Sequence, residues 1–194
     1  MIPGKRLLLA SGSPRRRELL ALLDNDIEII KSIDVDESYP STMDPYKVAE
    51  YISLKKSAAY DSTTLNDNDI LITADTVVIL NNRILVKPAN ADEAIKMLQF
   101  LRNRTHIVTT GITLRTTTAT ESFSSHTKVT FDNISDEEIK YYVNKYNPLD
   151  KAGSYGIQEW IGYIGISRIE GCYYNVMGLP MHDLYQAITK MVKH

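Results

Sequence analysis

Apolar positions along this chain switch repeatedly between the spacing of strands and that of helices. Leu7-Leu8-Leu9-Ala10 is a short continuous run bounded by Gly12 and Pro14, which predicts a buried strand. Ser13-Pro14 then reads as an N-cap followed by proline at the first helical position, with Leu19, Leu20, Leu22 and Leu23 as the helix's apolar face. Ile27 to Ile33 reads as a second strand and Val35 to Tyr39 as an acidic loop. From Pro45 to about Asp61, Val48, Ile52 and Ala59 recur at helical spacing, with Lys55 and Lys56 inside the pattern.

The most strand-like run is Ile70 to Leu80, with Asp75 and Thr76 embedded in it. Asn81-Asn82 tolerates positive φ and predicts a hairpin back into Ile84-Leu85-Val86. Asn90 to Arg102 reads as a helix, and His106 to Arg115 and Lys128 to Phe131 as strands rich in Thr, Val and Ile. Ser135-Asp136-Glu137-Glu138 is a capping box, opening a helix that stops before Pro148. Asp150 to Trp160 reads as a polar loop, Ile164 to Ile169 and Tyr173 to Met177 as strands, and a last helix starts at Pro180. Interleaved strands and helices predict the α/β class. No internal repeat or linker interrupts the chain, so residues 1–194 are expected to form a single domain.

Composition narrows the function. The chain is 43% hydrophobic and 24% charged, the profile of an ordinary globular protein. A formal charge of −2 argues against a dedicated nucleic-acid binder. No stretch has the length of a membrane span, and the N-terminal apolar run is too short for a signal peptide. The single cysteine, Cys172, excludes an internal disulfide and a cysteine-built zinc site, and a reducing, cytoplasmic compartment is expected.

Familiar nucleotide motifs are absent: there is neither a P-loop nor a dinucleotide fingerprint. The histidines at 106, 126, 182 and 194 include no pair at metal-ligand spacing. Ala152-Gly153-Ser154-Tyr155-Gly156 comes near a nucleophile elbow but lacks its first glycine and the preceding apolar strand.

What remains is a charge pattern. Ser11-Gly12-Ser13-Pro14-Arg15-Arg16-Arg17 puts three cations at a helix start, where the dipole disfavours each. A bound anion reverses that sign, because amides, hydroxyls and guanidinium forks converge on phosphate oxygens. The alternative is a solvated basic patch. Asp75 is a charge within an apolar strand, costly unless paired or functional. It reads as a base or metal ligand, or else as a carboxylate satisfied by backbone amides. Lys56 and Lys87 stand at element ends and, with Arg15 and Arg16, offer a cationic cradle for polyphosphate. These cations are expected to face solvent and to add little to stability. Asp34, Asp36 and Glu37, together with Asp75, offer hard oxygen ligands suited to magnesium or manganese.

Leu9 to Leu20 resembles the opening signature of the Maf family of nucleoside triphosphate pyrophosphatases. Ala74-Asp75-Thr76-Val77-Val78, Lys87-Pro88, Asp150 to Gln158 and Asn175 to Pro180 continue the resemblance in family order. It implies a mixed central sheet flanked by helices, two lobes around a cleft, and an inosine triphosphate pyrophosphatase-like fold. It implies hydrolysis of nucleoside triphosphates to the monophosphate and pyrophosphate, with a divalent metal (Mg or Mn) held by Glu37 and Asp75. Asp75 would be the proton acceptor. Ser11, Ser13, Arg15, Arg16, Lys56, Thr76, Lys87 and Gln158 would bind substrate, with Arg15, Thr76 and Gln158 setting specificity. That combination resembles the dTTP/UTP branch rather than the 7-methyl-GTP branch, with a house-cleaning role toward non-standard or excess nucleotides. A homodimer is compatible with the family. A rival reading is a regulator of cell division that senses nucleotides without turnover. In the helix, Ser57 replaces the family's usual alanine, and Lys56 is favoured over Lys55 as the residue facing the site.

Overall fold

Leu7, Leu8, Leu9 and Ala10 are buried because strand β1 (Arg6–Ala10) lies between two parallel neighbours. A computed structural model describes residues 2–193; Met1 and His194, the last of the four histidines, lie outside the described residues. Strand β2 (Asp26–Ile30) pairs Ile29 with Leu9 on one side, and β3 (Asp69–Leu80) pairs Ile72 with Leu9 on the other. Helices α1 (Pro14–Ala21) and α2 (Pro45–Ala58) make the two crossovers. The strand order therefore reverses at β1, where α/β sheets present ligand sites beyond the strands' carboxyl ends.

Among the described residues the sheet has seven strands, in the order β2-β1-β3-β5-β6-β7 with β4 (Arg83–Leu85) paired to β3. Strands β5 (Thr105–Arg115), β6 (Thr120–Phe131) and β7 (Ile166–Glu170) complete it. Parallel pairing around β1 and antiparallel pairing of β3 with β4 and of β6 with β7 make it mixed, as the resemblance implies. Asn81 and Asn82 both take positive φ, at 52° and 59°, and turn β3 into β4 as the sequence predicts. Lys128 lies opposite Glu170 in the β6–β7 register, and the two side chains pair at 3.9 Å. Helices α3 (Ala91–Leu101), α4 (Asp136–Tyr146), α5 (Trp160–Gly165), α6 (Tyr173–Met177) and α7 (Met181–Val192) complete the α/β chain. The capping box at Ser135 forms as expected, with side chain and backbone bonded in both directions.

The chain divides into two compact units. The first comprises Met1–Asp75, Thr110–Ser125 and Gly178–His194, and the second Thr76–Thr109 and His126–Met177. In the first, α2 lies directly on β5. A Cβ at Gly111 would stand 2.2 Å from the Ala49 carbonyl carbon, so only glycine admits this approach. Buried hydroxyls fasten the helix further: Ser53 Oγ meets Thr113 Oγ1 at 2.9 Å, and Thr73 Oγ1 donates to Ser53 O at 2.8 Å. Arg115 donates to Ser57 O and Tyr60 O, both at 2.9 Å, satisfying carbonyls that the end of a helix leaves open. The second unit closes over Val78, Leu98, Leu101, Phe131, Tyr142 and Ile161, all nearly or fully buried.

Several boundaries differ from the sequence reading. Strand β2 ends at Ile30 rather than Ile33, and β6 begins at Thr120 rather than Lys128. Trp160–Gly165 is helical, which moves the start of β7 to Ile166. Tyr173–Met177, expected as a strand, is helix α6. There Asn175 is fully buried and its Nδ2 donates to Val108 O and Thr127 Oγ1, both at 3.0 Å. A tertiary bond of this kind outweighs the local apolar pattern.

Candidate functional site

The turn after β1 and the middle of β3 meet beyond the carboxyl end of β1. Ser13 is the N-cap of α1 and Pro14 its first residue, and the Ser13 side chain makes no capping bond. First-turn amides of a helix have no acceptor within it and carry the positive end of its dipole. Ser11 is buried, and its Oγ accepts from Ser13 N at 3.2 Å and from Arg16 Nη1 at 3.4 Å. Arg15, half-exposed, stands near enough to Arg16 for their charges to repel.

Arg16 is half-buried, and this corrects the expectation of a solvent-facing cation. Its Nε donates to Gly178 O at 2.8 Å and its Nη1 to Ala74 O at 2.9 Å, tying α1 to β3 and to the segment before α7. Burial lowers its pKa, opposed by the nearby Asp75 carboxylate, but guanidinium stays charged in proteins. Arg16→Ala is therefore expected to lose both turnover and stability. Two carbonyls would lose a charged donor, at roughly 1.5–3 kcal/mol per bond. A thermal melt that matches the wild type would remove this structural role.

Asp75 is 14% exposed at the side chain, and Lys56 Nζ donates to its Oδ1 at 2.7 Å. The same ammonium lies 2.7 Å from Glu37 Oε1, so one cation bridges both carboxylates. Burial raises the Asp75 pKa above the ordinary carboxylate value, and Glu37 adds to the rise. Lys56 and Arg16 oppose it. The result is a carboxylate more basic than usual, held by two cations.

Lys55 and Lys56 do different work. Lys55 turns to the loop before α2, donating to Ser38 O at 3.1 Å and standing 3.7 Å from Asp36. Asp36 in turn accepts from the Ser38 amide and hydroxyl. One lysine fixes the loop that carries Glu37, and the next reaches the acids, as expected for Lys56. Both lie in the last turn of α2, where the helix dipole favours cations. Ser57 beside them is buried, and its Oγ has no hydrogen-bond partner.

The remaining expected residues belong to the second unit. Thr76 follows Asp75 in β3 and is half-buried. Lys87 is exposed just after β4, in a groove that also involves Arg83, Val86 and Phe100. Gln158 precedes α5; its Oε1 is buried and has no hydrogen-bond partner. A buried acceptor left open is uncommon and points to a ligand or to bound water. Among the described residues, no three His, Cys, Asp or Glu side chains cluster as a metal cage. The two carboxylates around Lys56 are an acidic pair that already holds a positive group, the Lys56 ammonium. Ser154 of the near-elbow is fully buried with its Oγ on Met97 Sδ, and His106 is a core residue whose pKa burial pushes down to about 3. Neither is placed to act on a substrate.

Fold and site together define an α/β domain in which a cationic helix start stands beside a lysine-bridged pair of carboxylates. The Maf-like protein family profile matches residues 6–191. The chain is 51% identical over 184 residues to a dTTP/UTP pyrophosphatase of Porphyromonas gingivalis, covering 94% of this chain and 92% of that protein. A Bacteroides thetaiotaomicron protein of the same name is 47% identical, with 96% of each chain covered. A third, from Flavobacterium psychrophilum, is 47% identical, with 93% of this chain and 91% of that protein covered. This chain belongs to the Maf family.

Proposed function

We propose that this protein hydrolyses nucleoside triphosphates to the monophosphate and pyrophosphate, with dTTP and UTP preferred. The observation that carries the reading is Asp75, a half-buried carboxylate within a strand, joined through Lys56 to Glu37 and standing beside a cationic helix start. The names of its relatives support the substrate class.

In this reading the triphosphate lies against the α1 turn, where Arg15, Arg16, Ser11, Ser13 and the first-turn amides meet phosphate oxygens. Lys87, Thr76 and Gln158 are the remaining candidates, Lys87 as a further cation and the other two for specificity. Asp75 orients a water toward the α-phosphorus and takes its proton as the new P–O bond forms. The bond from the α-phosphorus to the bridging oxygen breaks, and pyrophosphate leaves with the electron pair. Arg16 and Lys56 stabilise the charge that develops there.

Glu37 and Asp75 suit a divalent cation. They already converge on one positive group, and magnesium is commonly held by one or two carboxylates together with substrate phosphates. Bound there, magnesium or manganese would supply Lewis-acid stabilisation of phosphoryl oxygen charge. A lone cysteine suits a reducing compartment, which supports a cytoplasmic location.

The direct test is a panel of common and modified triphosphates with magnesium or manganese, following pyrophosphate and monophosphate together. Equal release of both products, fastest with dTTP and UTP, is expected. Tight nucleotide binding without turnover would favour the sensing regulator instead.

Asp75 must be ionised to accept a proton, so the acid limb of kcat/KM is expected to follow its carboxyl group. Lys56 holds that pKa down, so Lys56→Gln should move the limb to higher pH as well as lower the plateau. A pH–rate profile of the variant checks both. An unmoved limb would separate Asp75 from the titration.

A further inference from the structure

The segment before α5 is fastened more firmly than a polar loop requires. Glu159 follows Gln158, and each of its carboxylate oxygens is taken. Lys151 Nζ stands 3.2 Å from Oε1, and the Tyr142 hydroxyl donates to Oε2. Lys151 is itself buried, with Asp150 Oδ1 at 2.7 Å as its second partner. Burial and the Glu159 carboxylate raise the Tyr142 pKa, so the hydroxyl keeps its proton and remains a donor. The same oxygen accepts from the Gly156 amide at 3.0 Å.

Backbone contacts close the remaining freedom. Glu159 N donates to Gly156 O at 3.0 Å, and Gly162 N donates to Glu159 O at 2.8 Å. The Glu159 carboxylate packs against the Gly156 Cα, where a Cβ would meet its Cδ at 2.7 Å. Gly162 approaches the Ile157 carbonyl so closely that an added Cβ would stand 1.9 Å from the oxygen. Tyr163 Oη donates to Gln158 O at 3.1 Å. The Glu159 carboxylate, the Tyr142 hydroxyl and the Lys151 ammonium all have partners, whereas the buried Oε1 of Gln158 has none.

We propose that Tyr142, Glu159 and Lys151 form a positioning network that holds Gln158 with its amide presented for the nucleobase. The proposal rests on Gln158 as the base-reading residue. Because both Glu159 oxygens and the Tyr142 hydroxyl are engaged within the second unit, these three side chains act through Gln158 rather than on substrate. A preorganised amide loses little freedom when a pyrimidine pairs with it, and discrimination between bases gains from that rigidity.

The experiment measures kcat and KM for dTTP and CTP in wild type, Tyr142→Phe, Glu159→Gln, Gln158→Ala and the Tyr142→Phe/Gln158→Ala double variant, with a thermal melt of each. Tyr142→Phe keeps the ring's packing while releasing both Glu159 and the Gly156 amide. It is expected to raise KM for dTTP about tenfold with kcat nearly unchanged, and to reduce the dTTP-over-CTP preference by a similar factor. Glu159→Gln should act in the same direction. In the Gln158→Ala background, Tyr142→Phe should change the preference no further, because the residue through which it acts is gone. A preference unchanged in Tyr142→Phe and Glu159→Gln, while Gln158→Ala lowers it, overturns the network and leaves base reading by Gln158 intact. An additive double variant also overturns it. A preference unchanged in Gln158→Ala overturns both readings.

Discussion

In steady-state assays with dTTP and magnesium, Asp75→Asn is expected to lower kcat about 10²-fold or more, the scale of a lost general base. The amide keeps the shape of the side chain and can still accept from Lys56, but it cannot take a proton from water. Stability should move the other way. The folded chain holds the Asp75 proton more tightly than the unfolded chain does, because its pKa is raised. Its ionisation therefore costs stability as pH rises through the unfolded and then the folded value. A neutral amide avoids that cost, so the variant's melt at neutral pH should be no lower than the wild type's. Lost turnover in a chain at least as stable would mark Asp75 as a functional carboxylate. Wild-type turnover in Asp75→Asn would end its assignment as the base.

The second large effect concerns the base. Thymine and uracil present a 4-carbonyl acceptor beside an N3–H donor, and the Gln158 amide offers the complementary donor and acceptor. Gln158→Glu removes the donor and places a negative charge near the carbonyl oxygen. Relative kcat/KM for dTTP and UTP against GTP and 7-methyl-GTP is expected to fall by roughly 10²-fold, since buried polar groups left unpaired discriminate strongly. The check is kcat/KM for dTTP, UTP, CTP, GTP and 7-methyl-GTP in wild type and variant. A wild-type preference for guanine nucleotides, or no change on substitution, would place this chain in the other branch of the family.

Much of this architecture is legible in the residues because local and tertiary preferences agree there. Leu7 to Ala10 can only be buried, Asn81-Asn82 tolerates the positive φ that its turn needs, and Ser135 with Glu138 writes a helix start. Strand β6 was hidden because the packing of its first half engages hydroxyls as well as apolar groups. Ser122 bonds Thr113 and Ser124 bonds Glu50, partners that a hydropathy pattern does not register. Helix α6 was hidden because so short a stretch, four largely apolar residues around Asn175, fits either period, and the buried Asn175 joins it to Val108 and Thr127.

The site divides in the same way. Asp75 and the cations of the α1 turn stand out because each contradicts its local setting. The choice between Lys55 and Lys56 rests on helix orientation, and the structure gives the carboxylates to Lys56. The tethering role of Arg16 has no sequence signal, since its acceptors are backbone carbonyls 58 and 162 residues away. Tyr142, Lys151 and Glu159 were equally silent, as a network assembled from α4 and the loop before α5. The Gly156-to-Glu159 spacing gains its meaning only once the carboxylate is seen packed against that glycine.

The central claim is water attack at the α-phosphorus with Asp75 as base, and the most direct measurement is hydrolysis of dTTP in water labelled with heavy oxygen. Mass spectrometry of both products locates the new oxygen. The label is expected in dTMP and not in pyrophosphate, formed at a rate that collapses in Asp75→Asn. Label in pyrophosphate, or release of orthophosphate with dTDP, would contradict it.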